Sequence, residues 1–409
     1  MSNNFIEEFK SRGFYHQCTD ENSLNRMMQK PIKAYIGFDI TADSLHVGSL
    51  LQIMCLRLLQ KHGHQPIILL GSGTTLIGDP SGKDKTRKIL DKKQISKNSK
   101  KIQKLFLKLL DFKNKKTKPL FVDNSKWLEK LNYINFLRDI GKHFTINRML
   151  TFDSVKLRLE REQSLSYMEF NYMILQAYDF LKLHEKNSCI LQIGGSDQWG
   201  NIVNGVELIR KVNQKEAYGL TTPLITLSSG QKMGKTETGA VWLDKDLLSP
   251  YDYWQFWRNT PDNDVERFLK LFTDLEIDKI ENYKKTSNDI NNLKILLANE
   301  ATKIVHGKEE SIKSEITAKK TFVDRSTGEN LPEILFAKNK LEKGINIIEF
   351  LEEVKVLSSK SEARRLILNR GVKINNETVE DNNYFIKINN ENFIKLSLGK
   401  KKHFKILPK

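Results

Sequence analysis

The sequence predicts an α/β chain: a parallel-sheet domain, then an all-helical segment, then a small α+β module. Three observations carry this. Over residues 34–227, short apolar runs alternate with amphipathic helical patterns. After Ser249 the strand-like runs stop, and residues 250–322 keep only helical periodicity. From 345 to 409, short strand patterns return around one basic helix.

The elements follow in order. MSNNFIEEFKSRGF reads as an amphipathic helix and not as a targeting segment. AYIGF (34–38) is a buried strand, and HVGSLLQIMCLRLLQKH (46–62) is a helix whose leucines face the core until Gly63 stops it. PIILLGSG (66–73) is a second strand, followed by a very basic segment and a helix over about 99–111. KPLFV (118–122) is a third strand, and 125–182 is mostly helical. CILQIGG (189–195) is a fourth strand, with a helix from DQWGN onward, and LTTPLIT (220–227) is a fifth. Residues 323–344 are polar with little pattern and read as connecting chain.

The chain has 409 residues, a net charge of +17 and three widely spaced cysteines. That size holds two or three domains. No apolar run approaches the roughly 18 residues a membrane span requires. Cysteines without a C-x-x-C spacing read as free thiols in a reducing, cytoplasmic compartment. The basic charge suits a polyanion such as nucleic acid, or an anionic membrane surface. A lysine-rich composition without function gives the same number.

Of five polar clusters, four follow strand ends, where open α/β sheets bind ligands, and one lies on a helix face. In YIGFDITADSLHVGSL (35–50) a strand ends at Asp39, and a loop with Thr41 leads to His46, Gly48 and Ser49 at a helix start. A helix N-terminus attracts phosphate, His46 can donate to it, and Gly48 lets a flat base approach the backbone. A simple helix cap is the bland alternative. GSGTTLIGDPSGKDKTR (71–87) carries Asp79, Lys83 and Arg87. Its glycine spacing does not meet the P-loop pattern. In NYMILQAYDF (171–180), Tyr172, Gln176 and Asp179 share one face of an otherwise apolar helix. Buried, they need partners: each other, or a small polar-ended ligand. In GGSDQWGN (194–201), Asp197 and Gln198 project after a strand. Finally GQKMGKTETGAVWLD (230–244) places Lys232 and Lys235 in a glycine-bracketed loop, suited to closing on phosphates.

HVGS and KMGKT resemble the HIGH and KMSKS signatures of class I aminoacyl-tRNA synthetases. With YIGFDITADSLHVGS, LIGDPSGK, YMILQAYD, GGSDQWGN and KMGKTETGAVWLD in that order, essentially the whole chain resembles the bacterial-type tyrosyl-tRNA synthetase family. The resemblance implies a Rossmann-like catalytic domain over 1–249, with a helical dimerisation insertion at about 125–165. It further implies a helical anticodon-recognising domain over 250–325, a linker over 326–344 and a C-terminal RNA-binding domain over 345–409. It implies ligation of L-tyrosine to tRNA(Tyr) by a cytoplasmic homodimer without membrane attachment. ATP with Mg²⁺ is a substrate, with no tightly bound cofactor and no protein-held metal.

Carried over position by position, Tyr35 and Asp179 bind the phenol hydroxyl. Asp79, Tyr172 and Gln176 hold the ammonium, and Gln198 lies by the carboxylate. Asp39 and Asp197 lie near the ribose and the amino-acid end, with Gly48 and Ser49 also at ATP. Thr41, His46, Lys83, Arg87, Lys232 and Lys235 grip the triphosphate. Two positions depart from the family. Ser49 stands where the family has His or Asn, so altered ATP contacts are expected. Gly234 stands where KMSKS has Ser, a change common in this branch.

SSKSEARRLILNRGVKINNETVED (358–381) opens on a capping box, Ser359 with Glu362. Its helix carries Arg364 and Arg365, followed by Arg370 and Lys373. It resembles a small RNA-binding module shared with a ribosomal protein and with pseudouridine synthases. The basic segment Lys83–Lys108 either touches the tRNA backbone or is simply solvated. Two competing functions stand beside the ligase: an RNA-binding protein on an inactive synthetase scaffold, and the tryptophan-specific relative. Intact His46, Asp79, Asp179, Lys232 and Lys235 argue against the first. The Tyr35/Asp179 pair, of no use to an indole, argues against the second.

Overall fold

The computed structural model describes residues 4–79, 90–228, 230, 233–236, 239–286, 289–322, 331–357, 359–388, 393–399 and 402–409. Contacts divide the chain into two compact units. The first holds residues 1–247 and 261–293; the second holds 248–260 and 294–409. The helical stretch after Ser249 is therefore shared between units. Val265–Phe272 goes with the first, burying Val265, Phe268, Leu269, Leu271 and Phe272.

The first unit is built on a six-stranded sheet. Its strands are β1 (Gln17–Cys18), β2 (Lys33–Asp39), β3 (Gln65–Gly71), β4 (Leu120–Asp123), β5 (Cys189–Gly195) and β6 (Tyr218–Thr222). The order is β1-β6-β5-β2-β3-β4, with only the short β1 antiparallel. β2 is buried at Ala34, Tyr35, Ile36 and Phe38, and β3 along nearly its whole length. Continuous apolar runs of this kind are what a sheet covered on both faces requires. The chain proceeds outward from β2 to β3 and β4, and later from β5 to β6 on the other side. β2 and β5 are thus neighbours at the point where strand order reverses, and ligands bind at such a crevice.

Two helices frame that crevice. Val47–Lys61 starts at His46 and buries Leu50, Leu51, Met54, Leu58 and Leu59. Tyr167–Asn187 opens with a capping box, Ser166 with Glu169, and ends at Ser188 in the left-handed region. A buried charge cluster fastens the N-terminal helix Phe5–Ser11. Glu8 accepts from Arg12 (2.7 Å), Lys61 (2.8 Å) and His62 (2.8 Å), while Arg12 also donates to the carbonyls of Lys270, Thr273 and Leu275. The fifth strand is shorter than expected: β6 stops at Thr222. β7 (Lys235–Thr236) and β8 (Gly239–Ala240) then form a two-stranded ribbon in the lysine loop.

In the second unit, Pro250–Arg258 buries Tyr251, Tyr253, Trp254 and Trp257. Trp254 donates to Asn299, which donates to Glu315. Residues 333–343, patternless in sequence, hold β9 (Glu333–Phe336) and the helix Lys338–Lys343. β9 is a short edge strand, exposed at Glu333 and Leu335, so alternation over four residues is too brief to stand out. After it come β10 (Ile345–Asn346), β11 (Val372–Ile374), β12 (Glu377–Thr378), β13 (Phe385–Ile386), β14 (Ile394–Leu398) and β15 (Lys402–Pro408). The five-stranded sheet runs β12-β11-β14-β15-β9, with β9 parallel to β15. Its core includes Ile347, Phe350, Leu351, Ile367, Val372 and Leu396.

Candidate active site

The crevice between β2 and β5 contains two hydrogen-bonded chains of polar side chains in an apolar setting. Tyr35, on β2, is 1% exposed and packs its ring on Phe180 at 5.2 Å between centroids. Its hydroxyl is buried without a hydrogen-bond partner. Burial, then the nearby charges of Asp179 and Cys189, hold its pKa well above the usual phenol value. Gln192 on β5 is the register partner of Tyr35, so both project from one face of the sheet. Its Oε1 is likewise buried and unpartnered. Two buried, unpartnered polar atoms on neighbouring strands are costly unless a ligand or water completes them.

Asp179 lies on the helix Tyr167–Asn187 and is 2% exposed. Asn124 Nδ2 donates to it at 2.9 Å and Trp127 Nε1 at 2.7 Å. Burial pushes its carboxyl up to about 7; the Asn124 and Trp127 hydrogen bonds pull back, and Asp39 and Asp123 add to the rise. Asn124 also donates to Thr74 (3.1 Å), and Thr74 donates to Asp39 (3.1 Å). Tyr172 donates to the same Asp39 carboxylate at 3.3 Å. A second chain joins Asp79 to Gln198 (3.0 Å), Gln198 to Asn201 (3.0 Å) and Asn201 to Gln176 (3.0 Å). Tyr35, Asp39, Asp79, Tyr172, Gln176, Asp179 and Gln198 are therefore brought together. Asp197 sits beside them, exposed, in the turn Ser196–Gln198.

The helix carrying the HVGS motif is capped by His46, whose Nδ1 accepts from the Gly48 N–H at 3.0 Å. With Nδ1 accepting in that hydrogen bond, a neutral imidazole carries its proton on Nε2. The lysine loop docks on this turn. Val47 N–H donates to Val241 at 2.9 Å, Leu243 N–H to Leu45 at 2.9 Å and Val241 N–H to Gly234 at 3.1 Å. Gly234 has φ of +91°, and a Cβ there would lie 3.1 Å from the Gly48 nitrogen. A side chain at 234 is strained in this arrangement, and the glycine in place of the signature serine avoids that strain. Thr41 is exposed on the loop between β2 and His46, and Ser49 occupies the third position of the helix. Lys83, Arg87 and Lys232 lie outside the described residues, as does the side chain of Lys235, whose backbone is in β7.

The family model described as tRNA synthetases class I (W and Y) matches residues 27–323. That described as Tyrosine--tRNA ligase SYY-like C-terminal domain matches residues 325–406. The chain is 63% identical over 407 residues to a tyrosine--tRNA ligase of Pelagibacter ubique, covering 99% of each. The chain belongs to the bacterial-type tyrosyl-tRNA synthetases. A ligase of the same name from Rickettsia massiliae is 52% identical over 404 residues, covering 98% of each. Among solved structures, a C-terminally truncated Aspergillus nidulans mitochondrial tyrosyl-tRNA synthetase aligns with TM-score 0.69 and 31% identity. It covers 78% of this chain and 94% of that one. The Archaeoglobus fulgidus enzyme, at 17% identity and TM-score 0.57 over 76% of this chain and 99% of its own, shares the fold.

For a tyrosyl-tRNA synthetase the network has clear chemical use. A buried phenol and a buried carboxylate side by side can recognise a hydroxyl at the end of an aromatic side chain. Sequence reasoning missed Thr74, Asn124, Trp127, Gln192 and Asn201. Gln192 had a signal: an amide inside the apolar run CILQI. Asn124 also had one, standing directly beyond a strand end; Trp127 had none. The C-terminal candidates Arg364, Arg365, Arg370 and Lys373 are all exposed, on or just after the helix Lys360–Leu368. Ser359 caps that helix by accepting from the Glu362 N–H at 3.2 Å. Arg370 has φ of +54° and pairs with Glu380 at 3.2 Å.

Proposed function

We propose that this chain activates L-tyrosine with ATP and transfers the tyrosyl group to the 3′ end of tRNA(Tyr). The observation that carries the choice of amino acid is the buried, unpartnered Tyr35 hydroxyl beside Asp179. The substrate phenol donates to Asp179 and accepts from Tyr35. Phenylalanine leaves both buried groups unpaired. Tyrosyl-tRNA synthetases are themselves the standard example of this rule; their discrimination, on the order of 10⁵ without editing, is a property of such enzymes and not a figure obtained from this chain.

Asp79, Tyr172 and Gln176 hold the ammonium, and Gln198 lies by the carboxylate. On ligand entry the acceptors now engaged by Gln198 and Asn201 turn to the substrate. Asp39 and Asp197 take the ribose and the amino-acid end, and Gly48 and Ser49 flank the nucleotide. The tyrosine carboxylate attacks the α-phosphorus of ATP, supplied as its magnesium complex. The bond to the bridging oxygen breaks and pyrophosphate leaves. A tRNA ribose hydroxyl then attacks the tyrosyl carbonyl and AMP departs. The substrate is already a nucleophile, so the protein supplies position and charge. Thr41, His46 Nε2, Lys83, Arg87, Lys232 and Lys235 stabilise the leaving pyrophosphate. Each such contact is worth about 3–4 kcal/mol when it tightens only in the transition state.

The enzyme acts as a homodimer. Seven large apolar side chains between Tyr133 and Leu159 are exposed, Ile134 to 68%, and support a partner surface there. Residues 250–325 read the anticodon arm, and Arg364, Arg365, Arg370 and Lys373 bind RNA. The setting is the cytoplasm. The described cysteines are unpaired, and no described helix is long and apolar enough to cross a membrane.

The test is tyrosine-dependent exchange of pyrophosphate into ATP, with tyrosine, phenylalanine and tryptophan in parallel. Exchange with tyrosine alone supports the assignment. No exchange from a folded protein that still binds tRNA would replace it with an RNA-binding role.

A further inference from the structure

One helix has a charge pattern that the active site does not use. Lys92–Leu109 contains seven lysines and no acidic residue. Lys92 pairs with Glu129 and Lys101 with Asp43, each at 2.7 Å. The other five, Lys93, Lys97, Lys100, Lys104 and Lys108, are exposed and have no ion-pair partner among the described residues. Their spacing of four, three, four and four places them in one stripe, about 22 Å long at 1.5 Å per residue. Ile95, Ile102, Leu105, Phe106 and Leu109 bury the other face. An open space of about 550 Å³ over this helix is lined by Lys93, Lys97, Lys100 and Lys104 of the stripe together with Lys92, Lys101 and Ser96.

Lysine-rich composition does not account for this. The helix Lys308–Phe322 has lysines too, but they alternate with acids and pair at Lys313–Glu310 and Lys319–Glu315. In the stripe, like charges sit four apart and repel. Lys92 and Lys93 also occupy the first turn, where the helix dipole disfavours cations. The arrangement opposes helix stability, and a polyanion would relieve it.

Its location says which polyanion. Asn98 donates to the Ile40 carbonyl (3.3 Å) and Lys101 binds Asp43, so the helix is fastened to the loop that carries Thr41. Resting on the function proposed above, that loop borders the place where the tRNA 3′ end must arrive. We infer that the stripe is a second RNA contact, separate from the C-terminal module, which holds the phosphate backbone of the arm that ends in the acceptor hydroxyl. Lysines contact phosphate as point charges, so the contact positions the arm without reading bases.

The test uses the full-length enzyme with Lys93, Lys97, Lys100 and Lys104 all changed to Gln. The control changes Lys113, Lys115, Lys116 and Lys118 to Gln, which removes the same charge from an exposed loop. The stripe variant should keep tyrosine-dependent pyrophosphate exchange, and its thermal midpoint should not fall. Its KM for tRNA should rise at least about tenfold, and the salt dependence of log(kcat/KM) should flatten by roughly 2–4. The control should change neither. Equal effects in stripe and control would overturn the inference. So would lost exchange in the stripe variant alone, which would move the helix to the ATP step. Loss of binding to anionic phospholipid vesicles with unchanged tRNA kinetics would assign the stripe to membranes and also overturn it. Failure of exchange in the wild type would instead sink the ligase reading.

Discussion

Trp127 donates its indole N–H to the Asp179 carboxylate at 2.7 Å, across 52 positions of sequence. The Asp179 carboxyl is raised to about 7 by burial, with this hydrogen bond and that of Asn124 holding it down. These neighbours therefore keep the Asp179 carboxylate partly ionised near neutral pH.

Trp127→Phe should let the Asp179 pKa climb by about one unit, the loss of one hydrogen bond to a charged group. In the profile of kcat/KM for tyrosine against pH, measured by pyrophosphate exchange, the acid limb should move up by that amount. A profile unchanged in position would remove Trp127 from this role.

Asp179→Asn should change the pH dependence of stability. The folded pKa lies above the unfolded value of about 3.9. Its contribution is thus fully present below about pH 4 and lost as pH rises through 7. Relative to Asp179→Asn, the wild type should lose about 2 kcal/mol between about pH 5.5 and pH 8.5. Denaturant titrations of both proteins at these values test this, and parallel curves would refute it. The variant should also discriminate poorly between tyrosine and phenylalanine.

Gly234→Ala places a methyl group 3.1 Å from the Gly48 nitrogen at φ of +91°. The strain, about 1–3 kcal/mol, should weaken docking of the lysine loop on His46. Adenylate formation should slow by roughly 5- to 100-fold, while tyrosine affinity by equilibrium dialysis stays constant. Loss of tyrosine affinity would mean that the loop has a different role.

Glu8→Ala leaves Arg12 buried without its carboxylate. The expected loss is about 3–5 kcal/mol. Burial alone would raise the Glu8 pKa, but hydrogen bonds from His62, Lys61 and Arg12 outweigh it and hold it well below the usual carboxylate range. The stabilisation is therefore present above about pH 4.5 and lost only as pH falls through the depressed value. Urea unfolding at neutral pH and at about pH 3 checks both; equal midpoints for wild type and variant at neutral pH would refute it.

Much of the sheet was legible because a strand buried on both faces must be an apolar run. β2, β3 and β5 each stood out, and their carboxyl ends pointed to Asp39, Gly71 and the turn after Gly195. The helix face Tyr172, Gln176, Asp179 was legible because helical spacing is local. β9 was not, being four residues at a sheet edge.

The sequence by itself determined the strands and helices, the polar positions embedded in apolar surroundings and the resemblance that orders them. These depend on spacing over a few residues. Tertiary structure alone decided the partners. It brought Asn124 and Trp127 to Asp179, set Gln192 beside Tyr35, joined Asp39 to Tyr172 and laid Gly234 on Gly48. It also set five lysines, with no ion-pair partner among the described residues, beside the Thr41 loop. The reason is physical. A buried polar group is satisfied by whatever the crossing of distant strands places within 3 Å or so, and strand order is settled by how the whole core packs.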